Sequence, residues 1–278
     1  MREILFDDVV SAAEECVQAC LRLDPAAAVA LREALAREQN PNAAFALSTL
    51  LENASVAEEK GLVLCQDTGM AVFFVRLGQD VHITGGLLED AINEGVRRGY
   101  RRYGCRASVL DPVTRVNTGD HTPAIIHLES ACGDKRELDF LPKGFGSENM
   151  TRLYMLTPSA GTEGVINAVA DAVKTAGSKP CPPIIVGVGI GGTSEKAAEL
   201  AKRQHLRDVG TPSPDKDLAA LERECLARIN ALGIGVQGFG GDNTALAVHI
   251  GKYPTHITAL PVAVNIQCNA VRKAHVVI

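Results

Sequence analysis

Tryptophan is absent from this chain, and aromatic residues make up only 4% of it. So few aromatic faces exclude the stacking platforms on which single-stranded nucleic acid binds. Positive charge is not in excess either: 28 Lys and Arg face 33 Asp and Glu, for a formal net charge of -5. That balance argues against a nucleic-acid partner and against an anionic membrane surface. No apolar run approaches the ~18 residues that a membrane span requires. Met1-Arg2-Glu3 and the residues after it lack the long apolar stretch of a signal peptide. The expectation is a cytoplasmic protein whose thiols stay reduced. Its eight cysteines then read as core residues and metal ligands, not as disulfides.

What is present is an ordinary globular composition, 46% hydrophobic and 22% charged over 278 residues. Periodicity assigns an α/β fold: a helical N-terminal segment over 1–60 and a mixed β-sheet with flanking helices over 61–278, read together as one domain. Val9, Val10, Ala13, Cys16, Val17 and Cys20 recur at helical spacing, and Asp24-Pro25 and Asn40-Pro41 punctuate the segment. Cys16 and Cys20 share a face with those apolar residues, so core packing accounts for them. A helix is expected from Leu87 to Tyr103, then a polar loop over 111–123 containing Asn117, Thr118, Asp120 and His121. Ala124–Glu129 and Arg136–Leu141 alternate around Cys132-Gly133-Asp134-Lys135, the pattern of a β-hairpin. Further helices fall at Thr162–Ala176, after Gly191-Gly192, and at Leu218–Leu232, with strands at Ile184–Ile190 and Leu260–Ile266.

One stretch carries chemistry that a core does not need. Leu62–Leu64 and Met70–Val75 read as short buried strands, and Cys65-Gln66-Asp67-Thr68-Gly69 lies between them. Four polar groups in a row are costly to bury unless each finds a partner, and the glycine after them suits a sharp turn. Cys268 likewise follows an apolar strand, and Cys181 lies in Pro180-Cys181-Pro182-Pro183, just before another. Strand ends at one sheet edge are where α/β folds place their sites. The three cysteines are too widely spaced for a zinc ribbon or a ferredoxin-like run. Dispersed thiolates do suit a cluster with one iron left unligated by protein. Arg106, which follows Gly104-Cys105 off a helix end, could fork onto a carboxylate or serve a structural ion pair.

Cys65-Gln66-Asp67-Thr68-Gly69, Gly146-Ser147-Glu148-Asn149, Pro180-Cys181-Pro182-Pro183 with Gly189-Ile190-Gly191-Gly192, and Leu260–Cys268 occur in that order. Together they resemble the iron–sulfur-dependent class I fumarate hydratase and tartrate dehydratase family, over about Ala43 to Ala274. The resemblance implies a hydro-lyase with a [4Fe–4S] cluster that has one open iron, held by Cys65, Cys181 and Cys268 at strand ends. It implies substrate contacts at Gln66, Arg106, Gly146 and His256, with Asp67 as a catalytic proton carrier. Longer members carry a further C-terminal domain. The expectation here is therefore an alpha subunit that works with a beta subunit carrying that domain, as α2β2 or with an α homodimer. The expected substrate is a small C4 dicarboxylate: fumarate and malate, as in the tricarboxylic acid cycle, or alternatively L-tartrate. No residue stands out as the base that would deprotonate carbon, which fits a base supplied by the partner.

Two other readings compete. Gly187-x-Gly189-x-x-Gly192 matches a dinucleotide fingerprint, with Asp208 about where a ribose-binding acid should lie. That would make a nucleotide-dependent oxidoreductase, although Asp208 directly follows a helix where a second strand should end. The same loop could instead bind an anion at the Thr193-Ser194 helix start. A non-catalytic iron–sulfur sensor or scaffold subunit is the other class. After anaerobic reconstitution, Cys16→Ser should keep its iron per chain and Cys65→Ser should lose it, as read by iron assay. Loss of iron from Cys16→Ser would mean that the ligand set has been misassigned.

Overall fold

A computed structural model of the chain describes residues 2–278 and divides into two compact units. One comprises Met1–Asp24, Ala54–Gly144 and Arg272–Ile278; the other comprises Pro25–Asn53 and Phe145–Val271. The protein is mixed α/β, as periodicity indicates.

In the first unit, β1 (Arg2–Leu5) leads into α1 (Phe6–Val17). The N-terminal segment is thus not helical throughout, because β1 pairs in parallel with β3 (Val81–Thr84), Ile4 opposite Ile83. Helix α4 (Leu88–Arg102) turns Ala91, Ile92, Gly95, Val96, Gly99 and Tyr100 inward. Glycine at 95 lets α1 approach closely, since a Cβ there would lie 2.5 Å from the Val10 carbonyl oxygen. Both helices bury their apolar stripes with Phe73, Val75, Leu138 and Phe140 of the sheet.

That sheet runs β10 (Ala274–Val277), β5 (Arg136–Lys143), β2 (Met70–Gly78), β4 (Ile125–Ala131). The expected hairpin of β4 and β5 does not form. β2 lies between them, parallel to β4 and antiparallel to β5. Ala71–Val75 of β2 are all buried, so this strand takes the centre, and the half-exposed β4 takes an edge. Residues of the 131–135 turn then accept from Gly78, Gln79 and Asp80 at the end of β2 rather than closing a hairpin. Leu62–Leu64 is not a strand either. Both edges of β2 are taken, Leu62 is exposed, and the Leu64 N–H goes to the Cys20 carbonyl at 2.9 Å.

In the second unit, α2 (Pro25–Arg37) precedes α3 (Pro41–Lys60), whose last residues belong to the first unit. A short helical turn α5 (Phe145–Glu148), β6 (Arg152–Leu156), α6 (Gly161–Ala176), β7 (Ile184–Gly191) and α7 (Ser194–Arg203) follow. Then come α8 (Lys216–Asn230), β8 (Ala245–Tyr253) and β9 (Leu260–Gln267). The sheet order is β6-β9-β7-β8, with β7 parallel to β8 and antiparallel to β9. Val262, Val264 and Ile266 of β9 join Val186 and Val188 of β7 against α6 and α8. The opposite face takes α7, whose Ala197 and Ala201 pack on Ala263. Among the described residues no helix is long and apolar enough to cross a membrane.

The buried Glu222 of α8 ties the link over 207–215 to the outer edge of β8. It accepts from Arg207 Nη1 at 2.6 Å, Ile250 N at 2.8 Å and Ser213 N at 2.9 Å. Burial pushes its carboxyl pKa up, but those donors outweigh it and hold the group below the usual glutamate range. Glu222→Gln should cost about 2 kcal/mol, measured by denaturant unfolding at pH 7. Because the folded pKa is depressed, this stabilisation is present above the unfolded value of about 4.3. It is lost as pH falls through the folded value, so the two unfolding curves should converge in acid.

Candidate functional site

The first unit contributes Cys65, Gln66, Asp67 and Arg106. Cys65-Gln66-Asp67 occupies irregular backbone between α3 and β2, so Cys65 precedes a strand instead of ending one. Cys65 and Asp67 are half-buried and Gln66 is exposed. Four contacts hold the turn that follows. Arg272, 1% exposed, donates from Nη2 to the Asp67 carbonyl at 2.9 Å. The fully buried Thr68 hydroxyl accepts from Arg106 N at 3.0 Å and faces the Arg106 carbonyl at 3.5 Å. Tyr100 donates its hydroxyl to the Gly69 carbonyl at 3.2 Å. Gly69 has φ +76°, and a Cβ there would sit 2.3 Å from the Lys143 carbonyl group, so no other residue fits. Gly144 leaves room for the carboxylate itself: a Cβ on it would be 2.9 Å from Asp67 Oδ2.

Thr68 thus fixes the backbone at Arg106 to the residue beside Asp67. The Arg106 side chain is exposed and has no salt-bridge partner among the described residues, so it remains free to bind a carboxylate. The neighbouring arginines differ. Arg97 pairs with Glu94 and Asp120, Arg98 with Glu94, and Arg102 with Glu14, a structural set and not an anion funnel. Asp120 is raised by burial, but bonds from Thr122 and Arg97 hold its pKa at about 2. His121 packs on Tyr100 with ring centres 5.2 Å apart, and burial lowers its pKa.

The second unit contributes Gly146, Cys181, Cys268 and His256. Antiparallel pairing of Ile185 with Gln267 puts the start of β7 beside the end of β9. Cys181 and Cys268 therefore flank one sheet edge. Asn269 joins them, donating from Nδ2 to the Cys181 carbonyl at 2.7 Å and from its backbone N at 3.4 Å. Cys181 adopts φ +55°, a left-handed conformation unfavourable for a side chain, and its residue is exposed. Gly146 is exposed in α5, which packs on β9. Glu148 of α5 accepts from Lys202 Nζ at 2.6 Å and from Asn265 Nδ2 at 2.9 Å, anchoring that glycine turn. His256 lies before β9, exposed, with Nδ1 2.9 Å from Thr258 Oγ1. The eight residues of β9 separate it from Cys268, about 23 Å at the usual strand rise. One copy of this unit does not bring those two together.

The thiols sort by burial. Cys16, Cys20, Cys105 and Cys225 are buried, whereas Cys65 and Cys268 are half-buried and Cys181 is exposed. Burial pushes Cys16 and Cys225 up to about 12, away from thiolate chemistry. Cys20 and Cys105 hydrogen-bond one another, which lowers the first and raises the second. Cys132, on the 131–135 turn, is exposed. Among the described residues no three His, Cys, Asp or Glu side chains converge where a single metal ion could bind. In a cubane each thiolate ligates a different iron, so its cysteines need not share one metal ion, although their sulfurs must surround one cluster a few Å across. Within the second unit Cys181 and Cys268, neither of them buried and tied to one another through Asn269, suit two such ligands.

The dinucleotide reading fails on packing. A Cβ on Gly187 would lie 2.2 Å from Ala201 O and one on Gly189 2.1 Å from Ala197 O, so these glycines let α7 approach β7. Asp208 follows a 3-10 turn, and the next strand begins only at Ala245. The helix start offers no open anion site either, since the Glu195 carboxylate already occupies the Thr193 and Ser194 hydroxyls.

Sequence reasoning quoted Thr68 without giving it a role, and it assigned no site role to Tyr100, Asn269 or Arg272. Thr68 had the signal of its motif. Arg272 had none, because the carbonyl it binds is 205 positions away.

Comparison with known proteins gives one family and consistent relatives. Residues 9–277 match the family described as fumarate hydratase (Fumerase). A Methanocaldococcus jannaschii protein, named as a candidate L(+)-tartrate dehydratase subunit alpha, is 42% identical over 251 residues, 88% of each chain. The L(+)-tartrate dehydratase subunit alpha of Escherichia coli strain UTI89 is 34% identical over 229 residues, 81% of this chain and 75% of its own. The K12 strain protein of that name is 33% identical over the same length.

The Thr68 hydroxyl generates a test. Thr68→Val keeps the shape but leaves the Arg106 N–H without its acceptor, and it should cost about 1–3 kcal/mol. Chemical denaturation measures this; a change below a few tenths would mean that the turn does not depend on the hydroxyl.

Proposed function

The chain belongs to the fumarate hydratase (Fumerase) family and is a hydro-lyase; we propose that it dehydrates a C4 hydroxy-dicarboxylate as the alpha subunit of a two-subunit enzyme. The observation that carries this reading is the pairing of an exposed Cys181 with Cys268 through Asn269. Cys65, Cys181 and Cys268 would hold a [4Fe–4S] cluster with one open iron. When bound, that group supplies a Lewis acid for the departing hydroxyl.

The rest of the work falls to side chains. Elimination breaks one C–O bond, removes a proton from the neighbouring carbon, forms the double bond and releases water. Arg106 binds a substrate carboxylate through its fork, and Gln66 orients the substrate with its amide. Asp67, held from behind by Arg272, carries a proton at the departing oxygen. Gly146 gives close backbone approach, with Glu148 and Asn265 fixing its turn. The carbon base comes from a beta subunit carrying the family's further domain. The length of β9 separates His256 from Cys268, so His256 reaches a site from a second copy of the chain, as in an α2β2 assembly or an α homodimer. The names of the relatives favour L-tartrate as substrate; malate and fumarate, expected from the motifs, are the second reading. The setting is cytoplasmic.

Anaerobic assay of the reconstituted two-subunit complex on L-tartrate, malate and fumarate tests the proposal. Arg106→Lys keeps the charge but loses the fork. It should raise KM and lower kcat/KM by the equivalent of about 2 kcal/mol. Asp67→Asn should act mainly on kcat. Neither should change iron content. Turnover by the isolated chain would place the carbon base within residues 1–278 and end this division of roles.

A further inference from the structure

Residues 235–241 of the second unit form a glycine-rich turn between α8 and β8 that has no part in the chemistry described so far. Gly235, Gly238, Gly240 and Gly241 all take positive φ there, as glycine does without strain. Gln237 takes φ +52° among them although it carries a side chain. Among the described residues the other non-glycine positions with positive φ are Arg115, His121 and Cys181, the last at +55°. Gln237 and Cys181 are linked through one atom. The carbonyl of Pro182, next to Cys181, accepts from Gln237 N at 2.9 Å and from Gln237 Nε2 at 2.7 Å.

A strained residue points to function where an easier one would serve the fold. Glycine would serve at 237, as it does at 235 and 238. The Gln237 backbone N–H alone satisfies the Pro182 carbonyl, so the fold does not call for a second donor. What the side-chain amide adds is direction, because two donors from one residue fix where that carbonyl points. The same turn also reaches the chain before Cys181. A Cβ on Gly238 would lie 2.7 Å from Ser178 Cβ, and the Ser178 carbonyl accepts from Cys181 N at 3.1 Å. The turn is braced in its own right. Asn40 Nδ2 donates to the Phe239 carbonyl at 3.0 Å, and the buried Glu38 accepts from Asn243 Nδ2 at 2.7 Å and Asp242 N at 3.3 Å. We infer that Gln237 is a positioning residue for Cys181, whose paired donors to the Pro182 carbonyl hold the Cys181 thiol in its iron-ligating orientation. This role rests on the cluster reading and supports one of its ligands. Groups one step behind a metal ligand govern how firmly the metal is kept.

The test follows iron in the full chain after anaerobic reconstitution, for wild type, Gln237→Gly and Gln237→Met. Gly removes the amide and relaxes the positive φ; Met keeps the side-chain length and removes the donor. The rate of iron loss to a ferrous chelator should rise about 10-fold in both variants. The EPR spectrum of the reduced cluster should broaden, because the thiolate at 181 is less firmly oriented. The melting temperature of cluster-free Gln237→Gly should stay within about 3 °C of wild type, since relief of strain offsets the greater freedom of glycine in the unfolded chain. Iron loss within about 2-fold of wild type, or an unchanged EPR line shape, would overturn the inference while the cluster reading stands. A larger fall in the melting temperature of Gln237→Gly would overturn it too and leave Gln237 a structural role. So would faster loss from one variant only, because both lack the donor. Wild type that takes up no cluster removes the cluster reading and this inference together. Should Gln237→Met fail to fold, the comparison of wild type with Gln237→Gly decides alone.

Discussion

Between Asp67 and Gly69 the backbone has no freedom left. Arg272 takes one carbonyl from below, Tyr100 takes the other, and the Thr68 hydroxyl is bonded to the amide of Arg106. Gly69 meets the Lys143 backbone so closely that even a methyl group is excluded. Catalytic groups act when held near one geometry, and small displacements cost rate. In this turn the rigidity comes from buried donors and a positive φ, and the exposed side chains ride on it. Arg106 stays open to solvent because its backbone, not its side chain, is tied to Thr68.

The second unit follows the same rule with different means. Antiparallel pairing of β7 and β9 brings Cys181 and Cys268 to one edge, and the Asn269 amide fastens the two segments. The glycines at 187 and 189 serve the packing of α7, whose Lys202, together with His205 on the 3-10 turn that follows, holds Asn265 and Glu148 in one network with the Gly146 turn. What resembles a nucleotide fingerprint is a close helix–sheet contact. A glycine motif reports that backbones approach, and only the approaching partner tells whether it is a phosphate or a helix.

Much of the architecture was legible because burial imposes periodicity. The apolar stripes of α1, α4 and α6 and the continuous runs of β2, β7 and β9 are readable from one chain. Cys16 and Cys225 could be set aside for the same reason, as both sit on such stripes. The sequence expectations went wrong where the outcome was a matter of pairing. Leu62–Leu64 had the composition of a strand but no vacant edge, and β4 and β5 had the pattern of a hairpin but a better strand between them.

The residues of the site divide along the same line. Local order alone marks Cys65-Gln66-Asp67-Thr68-Gly69 and Pro180-Cys181-Pro182-Pro183, since polar or strained runs beside apolar strands have no packing use. Their family membership follows from those runs. The supports were settled only in three dimensions: Arg272 under Asp67 and Asn269 on Cys181. Hydrogen bonds between residues far apart in the chain leave no periodic trace in it. Whether a buried polar group has a partner is a property of the folded surroundings, which the order of residues does not spell out.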